Sequence, residues 1–157
     1  MKIIKDFITE DEQHALLAWV DSRTIPVLQP RNQGKHPVNS EFPNSEWIVD
    51  DGPQAYYDIQ ARIKEQFNWT EPTKGRKGKI FIHRPACMTP EHTDHYNTAR
   101  VTAMIQNADE GGRLVHGGNV AEIPDRGIAA FDATIPHEVN VVVSGKRIVF
   151  IFEFELN

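Results

Sequence analysis

Between Lys79 and Phe154 the chain is a succession of short apolar or alternating runs: Lys79 to His83, Arg100 to Gln106, Arg113 to His116, Asn119 to Ile123, Ile128 to Asp132, Glu138 to Val143 and Arg147 to Phe154. Alternation with a period of two, bounded by turn residues, is the pattern of half-buried β-strands. Three of the connections are too short for helical crossovers. Gly117-Gly118 suits a two-residue hairpin, Pro124-Asp125-Arg126-Gly127 a turn and Ser144-Gly145 another, all of them short antiparallel links. The second half of the chain is therefore expected to be an antiparallel β structure of seven or eight strands.

The first half reads differently. Thr9 with Glu12 three residues on forms a capping box, and Leu16, Trp19 and Val20 then share a helical face, which predicts a helix over residues 10 to 22. Residues 24 to 43 hold Pro26, Pro30, Asn32, Gly34, Pro37 and Asn39, too many breakers for a helix or a central strand. A long loop is expected there, either a lid or irregular surface packing. Asp51-Gly52-Pro53, with proline in a first turn, then starts a second helix carrying Tyr56, Ile59, Ile63 and Phe67 on one face. Two helices ahead of an antiparallel β region predict a mainly β, α+β chain: a jelly roll or related barrel-like sandwich with both helices on one outer face.

A length of 157 residues suits one domain, with a helical part over about 1–70 and a β core over about 77–156. The 39% apolar and 25% charged content is that of a globular protein, and no run reaches the length of a membrane span. The start, Met1-Lys2-Ile3-Ile4-Lys5-Asp6-Phe7, lacks the apolar stretch of a secretory signal, so a cytoplasmic location is expected. A net charge of -5 argues against nucleic acid as a partner, and the basic run Lys74 to Lys79 reads as a solvated turn. The single cysteine, Cys87, excludes a disulfide framework and a multi-thiolate metal site. Imidazole and carboxylate are the strong ligands that remain.

The sharpest local feature is His92-Thr93-Asp94. In an extended segment, residues two apart point to the same side, so both side chains can reach one ion. Such a triplet is common alone. His137, after Pro136 at the start of the penultimate strand, supplies a third ligand. Two histidines and a carboxylate occupy one face of an octahedral ion and leave three adjacent positions open, which suits Fe(II), although zinc accepts the same donors. Arg147 follows His137 by ten residues, and a hairpin at Ser144-Gly145 is expected to bring the two together. Alternation places Arg147, Val149, Ile151 and Glu153 on one face of the last strand and Ile148, Phe150, Phe152 and Phe154 on the other. A guanidinium among apolar neighbours needs an anion, and its planar fork fits a carboxylate; a structural salt bridge is the alternative.

These residues together resemble the 2-oxoglutarate and Fe(II)-dependent dioxygenases, especially the prolyl-hydroxylase-like branch. The resemblance spans most of the chain: His92-Thr93-Asp94, the strand from Arg100, Gly111-Gly112, Pro136-His137-Glu138-Val139 and Gly145-Lys146-Arg147 all have counterparts. It implies a double-stranded β-helix, a cupin-like jelly roll, behind N-terminal helices. It implies iron on His92, Asp94 and His137, with 2-oxoglutarate chelating the iron and pairing its distal carboxylate with Arg147. It also implies O2 as co-substrate, ascorbate in support, and release of succinate and CO2 as a C–H bond is hydroxylated. Family members that halogenate lack the carboxylate that Asp94 supplies, so hydroxylation is implied here.

The chain departs from the family where tyrosines often stand, at His83 and near Gln106. His83, Thr102 and Gln106 are accordingly expected to make polar contacts to 2-oxoglutarate, and Glu153 to face substrate. His95 and His116 are read as non-ligands and Cys87 as a small apolar group. The expected substrate is a peptidyl residue, proline among them, with a free amino acid or small metabolite as the second reading. A non-catalytic metal- or sugar-binding jelly roll is the reading from another class. Oligomeric state has no signature in the sequence.

Overall fold

A computed structural model describes residues 1–22, 45–49, 51–69, 78–94 and 97–156. The expected loop over residues 24–43, His95 and most of the basic run 74–79 lie outside them. Among the described residues, the major sheet has the order β1 (Lys2–Ile4), β9 (Ile128–Asp132), β5 (Thr98–Gln106), β12 (Arg147–Glu155), β3 (Lys79–His83) and β2 (Ser45–Ile48). A second sheet runs β4 (Thr89–His92), β10 (His137–Val139), β7 (Leu114–His116) and β8 (Asn119–Ala121), and β11 (Val142–Ser144) pairs β6 (Glu110–Gly111). Every pairing is antiparallel. The architecture is a jelly roll.

The two helices, α1 (Glu10–Asp21) and α2 (Gln54–Phe67), cover the outer face of the major sheet. α1 starts where its sequence signal lies: Thr9 Oγ1 accepts from the Glu12 N–H at 3.1 Å, and Glu12 Oε2 accepts from the Thr9 N–H at 2.9 Å. Pro53 caps α2 from just outside the helix rather than from its first turn. No helix of the described residues is long and apolar enough to cross a membrane.

Strand alternation divides the interior in two. Ile148, Phe150, Phe152 and Phe154 face the helices with Leu16, Val20, Tyr56, Ile59 and Ile63, and Tyr56 stacks on Phe152 with ring centroids 5.0 Å apart. Val149 and Ile151 face the other way, onto Met104, Leu114, Phe131 and Ala133 inside the sandwich. Each buried phenylalanine contributes roughly 1.5–3 kcal/mol, so the helix-side layer fixes the register of the central strand whose opposite face carries the polar groups described below.

Of the three turns read from the sequence, only Gly117-Gly118 closes a hairpin. Its φ angles of 55° and 78° are the left-handed pair that a two-residue turn between β7 and β8 requires. Pro124 to Gly127 forms its turn, with the Gly127 N–H donating to Pro124 O at 2.9 Å, but leads from the second sheet to the major one. Ser144-Gly145 likewise crosses between sheets, because β11 pairs β6 whereas β12 pairs β5 and β3. The expected hairpin joining His137 to Arg147 is replaced by two sheets facing each other. The expected strand from Glu138 to Val143 is divided into β10 and β11, and the short strands β1, β2, β4 and β6 were not among the expected runs.

Candidate active site

His92 ends β4 and lies directly opposite His137, which begins β10. Asp94 follows β4 at once, and its backbone N–H donates to Ala133 O at 2.8 Å, fixing the segment beside β9. One ligand atom from each of His92, Asp94 and His137 falls within 4.8 Å of the others. His92 Nε2 is 3.5 Å from Asp94 Oδ1, and His137 Nε2 is 3.9 Å from Asp94 Oδ2.

Both rings are held in one tautomer by their own backbone. His92 Nδ1 donates to Pro90 O at 2.8 Å and His137 Nδ1 to Ile135 O at 2.9 Å. A carbonyl can only accept, so each Nδ1 carries a hydrogen, and Nε2 is the nitrogen that each ring turns toward Asp94. Burial pushes His137 down to about 4, so it is neutral at physiological pH. For Asp94, burial acts to raise the pKa, but the hydrogen bond from His92 and the positive charge of Arg100 outweigh it, and the carboxyl titrates below its ordinary value. The site therefore offers two imidazole Nε2 atoms and one carboxylate, the donor set that a divalent cation takes.

Arg147 opens β12, directly opposite His83 on β3. It is 2% exposed. Its NH1 donates to His83 Nδ1 at 3.4 Å, and His83 Nε2 donates in turn to Thr89 Oγ1 at 2.8 Å. No carboxylate of the described residues pairs with the guanidinium, and Arg147 Nε is buried without a hydrogen-bond partner. Burial and the nearby Arg113 lower its pKa to about 10, so it stays charged. A buried, charged and incompletely satisfied guanidinium fits the distal carboxylate of a diacid.

The structure brings His83 to Arg147. Thr102 is buried on β5, on the cleft face with Arg100 and Met104. Gln106 turns its amide to Lys146 O at 2.9 Å, tying β5 to the start of β12. Glu153 lies across from Arg100, and Arg100 is a residue that the sequence reading passed over. Its NH2 is 3.1 Å from Glu153 Oε1 and 2.6 Å from Asp94 Oδ2, the latter a charge contact without hydrogen-bond alignment. Its NH1 is 3.4 Å from His137 Nε2. The signal was a lone charge in the cleft-facing series Arg100, Thr102, Met104. His116 pairs in register with His137 but uses Nε2 to donate to Asp132 O at 3.0 Å, and it is not among the three converging groups. Cys87 is buried.

Two imidazoles and one carboxylate on one side of an ion leave positions for a chelating ligand and O2 on iron, whereas structural zinc sites close with a fourth protein ligand. Among the described residues no fourth His, Cys, Asp or Glu joins the group.

No protein-family model matches the chain, and no curated protein matches it significantly. Solved structures do match. A viral collagen prolyl hydroxylase from Paramecium Bursaria Chlorella virus-1, in complex with 2-oxoglutarate, superposes with a TM-score of 0.71 at 14% identity, over 98% of this chain and 93% of that one. A prolyl hydroxylase from Trichoplax adhaerens, in complex with a peptide fragment of the hypoxia-inducible-factor oxygen degradation domain, gives 0.69 at 15% identity, over 98% and 83%. HygX from Streptomyces hygroscopicus, with nickel, 2-oxoglutarate and hygromycin B bound, gives 0.70 at 7% identity, over 99% and 82%. At such identities the likeness is one of fold: this chain is a jelly roll whose structural neighbours include prolyl hydroxylases and HygX, the latter solved with 2-oxoglutarate bound.

Proposed function

We propose that the chain is an Fe(II)- and 2-oxoglutarate-dependent dioxygenase that hydroxylates an aliphatic C–H bond. One observation carries the reading: a buried guanidinium with an unsatisfied Nε shares an interior with two imidazoles and a carboxylate poised around a common point. His92, Asp94 and His137 would hold the iron through Nε2, a carboxylate oxygen and Nε2. The carbonyls of Pro90 and Ile135 orient the rings. Arg147 would hold the distal carboxylate of 2-oxoglutarate, with neutral His83 accepting from NH1. Thr102 is the further polar side chain on the cleft face, and Gln106 supports Arg147 through the backbone of Lys146. When bound, iron and 2-oxoglutarate couple O2 cleavage to oxidative decarboxylation, one oxygen atom going to succinate and the other to the substrate, with ascorbate keeping the metal reduced.

For the prime substrate, a peptidyl residue, proline among the candidates, is supported by the fold shared with prolyl hydroxylases. A free amino acid is the second reading, favoured by the charges of Arg100 and Glu153 beside the metal ligands. The test is succinate formation from 2-oxoglutarate with Fe(II) and ascorbate, first without and then with candidate peptides and amino acids, followed by a mass search for a gain of one oxygen. Asp94→Ala is expected to abolish turnover. Equal turnover in that variant would remove the ligand assignment, and none in the native chain would favour a non-catalytic metal-binding module.

A further inference from the structure

Arg100 and Glu153 stand opposite each other across β5 and β12, at the far end of the strand face that Arg147 begins. Their side chains are 14% and 9% exposed, next to Asp94 at 12% and His92 at 23%, so the pair lines the side of the site that solvent reaches, whereas Arg147 lies sealed. Taking two charges this far out of water is costly, and an apolar pair would stabilise the sheet as well or better. The metal does not call for the pair, because its three protein ligands are already assembled. The co-substrate does not call for it either, since Arg147 lies six residues away along the strand.

What the pair offers is a cation and an anion side by side, with the cation 2.6 Å from Asp94 Oδ2. The fork of Arg100 is not saturated by its contacts: Nε is buried without a hydrogen-bond partner. The complementary ligand carries an anion and a cation on neighbouring atoms, which is the arrangement of an α-carboxylate and an α-ammonium group. A residue within a peptide has neither charge and makes no charge-to-charge contact with either side chain.

We infer that Arg100 and Glu153 determine specificity for the prime substrate, receiving the α-carboxylate and α-ammonium group of a free α-amino acid and so holding its side chain toward the metal. The inference rests on the oxygenase reading above. The overall change balances as R–H + O2 + 2-oxoglutarate giving R–OH + succinate + CO2, with no further oxidant or reductant.

The test uses the full chain in two states. Loaded with nickel and 2-oxoglutarate, which does not turn over, it is titrated by calorimetry with a panel of L-α-amino acids, with their N-acetyl and methyl-ester forms, and with peptides carrying the same residues internally. Loaded with Fe(II), it is assayed with the same compounds for acceleration of 2-oxoglutarate decarboxylation. At least one free amino acid should bind and accelerate succinate release, with both blocked forms at least about tenfold weaker. In Glu153→Gln the preference for the free over the N-acetyl form should collapse; because that ratio is taken within one variant, a general loss of activity cancels. Binding of no free amino acid, equal response to internal peptides, or an unchanged ratio in Glu153→Gln would each overturn the inference while substrate-independent decarboxylation persists. Absence of that decarboxylation in the native chain is the separate failure of the oxygenase reading, and it takes the inference with it.

Discussion

Arg147 donates to His83 across the β12–β3 ladder, NH1 to Nδ1 at 3.4 Å, and the two are mutually exclusive as cations. Burial first, and then the guanidinium, hold His83 well below its ordinary value of 6.5. The ring is therefore an acceptor for the arginine and leaves the fork's positive charge intact for a ligand.

Replacing Arg147 by Met should raise the KM for 2-oxoglutarate roughly 10- to 100-fold, the worth of charge-assisted hydrogen bonds of about 1.5–3 kcal/mol. The ligand-free protein should be no less stable than the native chain, because a buried cation lacking a carboxylate is removed with its desolvation cost. Steady-state kinetics and thermal melts check the two signs together. A large drop in melting temperature would mean that Arg147 serves the fold.

Acid should weaken the metal-free fold in a defined window. His137 titrates at about 4 and His83 well below 6.5 when folded, while both take up a proton near 6.5 when unfolded. Between those values the unfolded chain binds more protons, so stability falls as pH drops from about 6.5 toward 4 and is insensitive to these groups above 6.5. Urea midpoints measured at neutral pH and at about pH 5 should show the decline. His83→Gln should make it shallower.

Metal should bind at His92, Asp94 and His137 and leave His116 aside. Nickel or Fe(II) is expected to raise the melting temperature of the native chain and of His116→Ala. For Asp94→Ala the affinity should drop by at least about 100-fold, more than loss of an outer contact costs. An equal loss in His116→Ala would show that the register neighbour is a ligand after all.

Gly112 packs against the arginine, and a Cβ there would lie 3.3 Å from Arg147 Cδ and 2.9 Å from Val142 Cγ2, on a backbone with φ of 67°. Gly112→Ala should cost roughly 1–2 kcal/mol for the left-handed backbone and also raise the KM for 2-oxoglutarate by displacing the fork. Gly118 supplies the comparison, with φ of 78° but open space around it. Gly118→Ala should show the backbone cost alone in a melt and leave the KM unchanged.

Much of this was legible in the residues. The alternation of Arg147 to Phe154 identified the two faces of β12 because its apolar side chains fill two separate cores. The capping box identified the start of α1 because both of its hydrogen bonds are local. Turn residues were less informative. Ser144-Gly145 reports that the chain reverses, not which strand receives it, and the answer depends on the β6 partner more than thirty positions upstream. β1, β2 and β6 have four residues or fewer, too short for a period to register. His116 lacks the carboxylate two residues on that marks His92, and its Nε2 is taken up by Asp132 O. Arg100 was missed because its meaning comes from Glu153, fifty-three residues later, and from the metal ligands it touches.

β12 packs phenylalanines against the helices and presents Arg147 and Glu153 to the cleft, because its successive side chains point to opposite faces. Sliding it by one position would press Arg147 and Glu153 into the helix-side oil and empty the cleft wall of both. Docking of the helices thus acts as a proofreading step for the candidate site: a chain that has folded well enough to bury Phe150 and Phe152 has, by the same act, turned Arg147 and Glu153 to the cleft.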